Sequence, residues 1–130
     1  LLAALLTDIP GSSAVFERGF VTYTNRAKEE MLGIAGDVIA DYGAVSEPVA
    51  RMMAEGALEA SRANIAVAIT GVAGPGGGTR MKPVGTVHIA CARENRAVVH
   101  DMLQLGEIGR SEVRMASVET ALNLIQMQIR

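Results

Sequence analysis

Apolar positions along the 130-residue chain change their spacing several times, and each change marks an element. Leu1-Leu2-Ala3-Ala4-Leu5-Leu6 reads as the inside of a buried apolar helix over residues 1–8, and Ile9-Pro10-Gly11 breaks it. Between Ala14 and Thr24, the β-branched and aromatic residues Val15, Phe16, Phe20, Val21 and Tyr23 predict a strand, with Gly19 marking a bulge. Asn25 is placed to cap a helix running to Leu32 and ended by Gly33, and a second short helix covers Asp37 to Tyr42. Ser46 caps the next helix, where Val49, Met52, Met53, Gly56, Ala57 and Ala60 recur at helical spacing through about Arg62. Ile65 to Thr70 is almost continuously apolar, as a central strand covered on both faces would be. A glycine-rich loop from Gly71 to Pro83 follows, then strand-like runs Val84–Ala92 and Ala97–Leu105 joined by a hairpin at Arg93-Glu94-Asn95-Arg96. The last helix, Gly109 to Ile129, carries Val113, Ala116, Val118, Ala121, Leu122, Leu124 and Ile125 on its apolar face. This order predicts one α/β domain, a three-layer α/β/α sandwich with a mixed sheet between helical layers.

Composition narrows the function classes. Twelve Lys and Arg against 14 Asp and Glu leave a net charge of −2, and only 3% of residues are aromatic. A nucleic-acid binder would want a basic stripe and stacking rings, so that class is set aside. No apolar run approaches the roughly 18 residues a membrane helix requires, and a soluble cytoplasmic protein is expected. The lone Cys91 excludes an internal disulfide framework and a four-cysteine zinc site. The opening lacks a Met, a basic region and a small-residue cleavage site, so it reads as the continuation of a longer chain.

Four sets of residues carry candidate chemistry. Gly71, Gly74, Gly76, Gly77 and Gly78 follow a buried strand, where inward-turned backbone N–H groups approach an anion closely. The spacing is neither a Walker A loop nor a dinucleotide fingerprint, and a plain surface loop is the competing reading. Ser12, Ser13, Tyr23 and Lys28 form the second set. A lysine takes a serine proton only where burial or positive charge lowers its pKa, and Lys28 falls in the first turn of a helix, where the dipole disfavours a cation. A solvated lysine and a simple turn at Ser12-Ser13 are the alternative. His88 and His100 lie on adjacent hairpin strands and can face one another, but no third ligand has suitable spacing, so a metal site is rejected. Arg110 and Arg114, opening the last helix, are phosphate candidates or partners of Glu107 and Glu112. Cys91 and the methionines Met52, Met53, Met102, Met115 and Met127 read as core or interface filler.

Five ordered runs go further than this physics. They are Thr7-Asp8-Ile9-Pro10-Gly11-Ser12-Ser13-Ala14, Glu17 to Asn25, Ala44-Val45-Ser46, Thr70 to Gly77, and Lys82-Pro83-Val84-Gly85-Thr86-Val87. Together they closely resemble the C-terminal domain of the CinA competence/damage-inducible family, whose stand-alone members are nicotinamide-nucleotide amidases. The resemblance implies hydrolysis of the carboxamide of nicotinamide mononucleotide to nicotinate mononucleotide and ammonia, by a Ser/Lys dyad with no metal and no cofactor. It implies Ser13 as nucleophile with Ser12 in reserve, Lys28 as base and Tyr23 beside it. Ser12, Asn25, Thr70, Gly71, Gly74, Gly76, Gly77, Arg110 and Arg114 are then expected around a small nucleotide substrate. A homodimer is implied as well. The family carries a first strand and a Ser-Cys-Thr-Gly-Gly run just before the position of Leu1, so an incomplete sheet is expected for these residues. A non-catalytic nucleotide-binding or regulatory module is the competing class, and a purely structural dimerisation domain is a third.

Overall fold

A computed structural model describes all residues, Leu1–Arg130. Five helices and three strands follow in the order α1 (Leu2–Leu6), a 3-10 turn (Ser12–Ala14), α2 (Asn25–Leu32), α3 (Gly36–Tyr42), α4 (Glu47–Glu59), β1 (Ile65–Gly71), β2 (Thr86–Arg93), β3 (Val99–Gln104) and α5 (Arg110–Ile129). No helix is long and apolar enough to cross a membrane.

The layers follow from the two faces of β2. Ala90 and Ala92 join Ala68 of β1 against Leu32, Ile34, Ile39, Val49, Ala50, Met53 and Ala54 of the α2–α4 layer. Val87, Ile89 and Cys91, the alternate residues, pack against Val113, Ala121 and Leu124 of α5. Successive side chains of a strand point to opposite faces, so covering both faces requires an uninterrupted apolar run. The alanines set the spacing of the first face, because only small side chains let α4 lie close on the sheet. The result is the α/β/α sandwich the chain pattern predicts.

β2 is the central strand, pairing with β1 through Thr70↔His88 and Gly71↔Val87 and with β3 through His88↔Met102 and Ala90↔His100. β1, expected in the centre, therefore stands at an edge, although helices cover both of its faces. Within the expected mixed sheet, both pairings among these three strands are antiparallel. The reason lies in the connections: each neighbour is reached by a chain that folds straight back, and a parallel pair needs a crossover.

Three local expectations change. Residues 15–24 form no strand; Val21 and Tyr23 are 84% and 82% exposed, because no strand edge lies alongside to pair with them. α1 is short and none of its residues is fully buried, since it meets only one side of the domain, where Leu5 borders Met115, Val118 and Leu122 of α5. The cap of α2 is Thr24, not Asn25: its Oγ1 accepts from Ala27 N at 3.0 Å, a contact that stabilises the helix by about 1 kcal/mol. Gly33 ends α2 at φ 68°, a left-handed position that glycine takes without a Cβ penalty. Ser46 caps α4 as predicted, accepting from Val49 N at 3.3 Å.

On α5, the pattern misses two buried polar residues. Ser117 turns its hydroxyl back onto Val113 O, and Gln128 donates from Nε2 to Cys91 O at 2.8 Å and Ala97 O at 3.0 Å. Gln128 thereby ties the helix to β2 and to the connection that leads into β3.

Candidate functional site

The site is built around a lysine. With Thr24 as cap, Lys28 occupies the fourth residue of α2, and a helical side chain leans back toward the N-terminus. Its stem returns along the segment that enters the helix, and Nζ donates to Thr22 O at 2.8 Å. The residue is only 6% exposed, and no carboxylate pairs with it. Its only hydrogen-bond acceptor is a neutral carbonyl. Burial without a counter-ion disfavours the charged form, so the pKa of Lys28 is pushed below the ordinary lysine value. The expectation of a depressed lysine pKa stands on burial rather than on the helix terminus.

Ser12 and Ser13 lie on the 3-10 turn that follows Gly11. Ser12 Oγ donates to Thr7 O at 3.5 Å, while the Ser13 hydroxyl is exposed and makes no hydrogen bond. Neither serine is hydrogen-bonded to Lys28 Nζ. Tyr23 stands between the two residues that organise the lysine, Thr22 through its carbonyl and Thr24 through its cap, and its ring is exposed. Asn25 is the first residue of α2 and exposed. Thr70 is buried near the end of β1, its Oγ1 donating to Ala44 O at 2.8 Å, which ties the strand to the turn before α4.

The glycine loop leaves β1 at Gly71 and re-enters the sheet at Thr86. Val72 N donates to Thr86 O and Gly85 N to Val72 O, closing its neck. Gly74 is buried at φ 86°, with Val84 filling the space a Cβ would need, whereas Gly76 and Gly77 are exposed. Arg110 Nη1 donates to Gly74 O at 2.8 Å, so this arginine anchors the loop to the start of α5. Arg114 is exposed and makes no hydrogen bond or ion pair.

His88 and His100 do face one another, Nδ1 to Nε2 at 3.0 Å, and no group of three His, Cys, Asp or Glu residues is arranged to hold a metal. Cys91 is buried, and burial pushes its thiol up to about 12. Two contributors escape the sequence reading. The Thr22 carbonyl carries no side-chain signal at all, and Lys82, whose Nζ bonds Tyr42 O, is legible only as part of a motif.

The family profile of the CinA C-terminal domain matches residues 1–129. The chain belongs to the CinA C-terminal domain family. A CinA-like protein of Anaeromyxobacter sp. (strain Fw109-5) is 48% identical over 130 residues, covering 100% of this chain and 31% of that protein. A CinA-like protein of Akkermansia muciniphila is 63% identical over 92 residues, 71% of this chain and 22% of its own length. Among solved structures, the competence/damage inducible protein CihA from Agrobacterium tumefaciens superposes with a TM-score of 0.97 at 53% identity, covering 99% of this chain and 78% of that one. The CinA superfamily protein ECK1530/EC0983 from Escherichia coli gives 0.89 at 33% identity, covering 96% and 72%. This CinA domain thus spans less than a third of the length of the curated relatives it matches.

Proposed function

We propose that this CinA domain is a nicotinamide-nucleotide amidohydrolase that converts nicotinamide mononucleotide to nicotinate mononucleotide and ammonia. The observation that carries the reading is the Lys28 amine: buried, without a counter-ion, and bonded only to the Thr22 carbonyl. Such an amine exists in its neutral, proton-accepting form at lower pH than a surface lysine, which is what a serine nucleophile requires.

In this mechanism Ser13 Oγ attacks the carboxamide carbon while Lys28 Nζ takes the serine proton. The tetrahedral oxyanion collapses as Lys28 returns that proton to the amide nitrogen, and ammonia leaves. Water then attacks the acyl-enzyme, giving its proton to Lys28, and the carboxylate product departs as Ser13 regains a proton. Ser13 and Lys28 meet directly only once substrate is bound, a tightening that catalytic hydrogen bonds of free enzymes commonly show. Tyr23 orients the lysine through the Thr22–Thr24 segment, and the loop held by Arg110 lies against the nucleotide. The protein acts without a metal or cofactor, as a homodimer.

The test is ammonia release from nicotinamide mononucleotide. Lys28→Met preserves the stem and removes the base, so turnover falls at least about 100-fold with little change in KM. Wild-type turnover in Lys28→Met overturns the base assignment, and Ser12→Ala against Ser13→Ala decides the nucleophile. Saturable binding of the nucleotide with no ammonia at all favours the regulatory-module reading instead.

A further inference from the structure

Polar side chains gather where the glycine loop joins β1 to β2, and the proposed hydrolysis gives none of them a part in the proton transfers. His88 of β2 and His100 of β3 project to the α4 face, offset by two residues in register. Their rings stack with centroids 5.2 Å apart and planes inclined by 24°, and His88 Nδ1 lies 3.0 Å from His100 Nε2. The second nitrogen of His100, Nδ1, faces Glu47 Oε1 at 3.7 Å, at the first residue of α4. Glu47 also accepts from Arg51 Nε at 2.8 Å, and that bond, with the nearby His100, holds its carboxyl below the usual range and ionised. The second nitrogen of His88, Nε2, has no protein partner and is not sealed from solvent, although the residue is 9% exposed.

This arrangement fixes where the protons sit. Burial keeps both imidazoles neutral by lowering their pKa values, and a neutral imidazole has one donor and one acceptor nitrogen. A carboxylate only accepts, and although 3.7 Å is too long for a direct hydrogen bond, its negative charge favours the proton on the His100 nitrogen that faces it. His100 Nε2 is then a lone pair, His88 Nδ1 must donate to it, and His88 Nε2 is left bare. The opposite order would aim a lone pair at the Glu47 carboxylate. The ammonium of Lys82, on the loop, bonds Tyr42 O and lies against Gly43, next to the Ala44 carbonyl that accepts from Thr70, and its charge reaches the His88 ring. Thr70 is the cross-strand partner of His88 on the same face.

We propose that Glu47, His100 and His88 form a directed relay that holds His88 Nε2 as a bare acceptor for a sugar hydroxyl of the ligand, with Lys82 taking the neighbouring anionic group. An acceptor nitrogen beside an ammonium is complementary to a donor hydroxyl beside an anion, and a phosphorylated sugar carries both. His88 and Lys82 are binding residues; His100 and Glu47 are positioning residues. The ligand class rests on the amidase reading, whereas the proton order does not.

Long-range 15N–1H NMR on the 130-residue chain at pH 7.5 reads the tautomers directly. Both rings are expected as Nδ1–H, with His88 Nε2 at a lone-pair shift, and Glu47→Ala mixes the tautomers without unfolding the exposed start of α4. Adding ribose 5-phosphate moves the His88 Nε2 signal, while inorganic phosphate alone does not. His88→Phe weakens ribose 5-phosphate about 10-fold, leaves inorganic phosphate unchanged, and is partly rescued by His88→Gln, which restores an acceptor. A proton on His88 Nε2 in the wild type overturns the relay. Ribose 5-phosphate that binds no tighter than phosphate, or leaves Nε2 unmoved, overturns the ligand assignment. The two readings separate cleanly: absent ammonia release with intact ribose 5-phosphate binding sinks the amidase alone, and ammonia release with KM unchanged in His88→Phe sinks this inference alone.

Discussion

Gly56 is the point at which the position of Lys28 depends on packing rather than on its own helix. It lies in the middle of α4, buried, where α2 crosses. A Cβ built there would overlap Leu32 O and stand 3.1 Å from Leu32 C and 3.2 Å from Leu32 Cβ. Two of these three atoms are backbone, so no rotamer change relieves the contact. In an isolated helix, Gly→Ala stabilises by about 1 kcal/mol. Here α2 must retreat by roughly 1 Å to admit the methyl, and overpacking of that kind costs about 1–3 kcal/mol, more where backbone has to move. The net expectation for Gly56→Ala is a loss of about 2 kcal/mol, against a helix-propensity gain of the opposite sign. Because Lys28 is one turn before Leu32, the same shift pulls Nζ off the Thr22 carbonyl. Urea unfolding followed by circular dichroism gives the stability, and ammonia release from nicotinamide mononucleotide gives the effect on the site. A variant as stable as the wild type, or more so, would refute the close crossing and with it the claim that α4 positions the lysine.

Other outcomes follow from the same geometry. The folded pKa values of His88 and His100 lie below 6.5, chiefly through burial, with Lys82 and Arg51 adding to the depression and Glu47 and Asp101 opposing it. The unfolded chain therefore takes up protons first, so stability is full above about pH 6.5 and falls as pH drops through the folded values, by at most about 1.4 kcal/mol per pH unit for each proton. Urea midpoints that stay level from pH 7.5 to 5 contradict this. The Cys91 thiol, buried and pushed up to about 12, should resist a thiol reagent at pH 8 until the chain is unfolded by urea; rapid labelling of the native protein contradicts its burial. Arg110→Ala removes the bond to Gly74 O and frees the loop, so KM for the nucleotide should rise several-fold with a smaller change in kcat. If kcat alone falls, the arginine acts on the reaction rather than through the loop.

Much of the frame is legible in the chain itself. The breaks at Pro10-Gly11 and Gly33, the Ser46 cap and the strand-like run that becomes β2 are local effects, set by backbone conformation and by the spacing of apolar residues, and the structure keeps them. The segment from Val15 to Tyr23 has strand-like residues too, yet a strand forms only where an edge accepts its hydrogen bonds, and none does here. Ser117 and Gln128 count as polar in any apolar pattern, but their partners are carbonyls, one of them 37 residues away, so burial satisfies them.

The same division runs through the candidate site. Sequence alone determined which residue types were at hand: a serine turn, a lysine in the first turns of a helix, a glycine loop after an apolar strand, two histidines on a hairpin. Only the tertiary structure decided that Lys28 is buried against a neutral carbonyl, that Arg110 is spent on the loop, and that Glu47 lies beside His100. The reason is that the charge state of an amine or an imidazole depends on what surrounds it in space. Those neighbours arrive from other elements, through packing that no local spacing specifies.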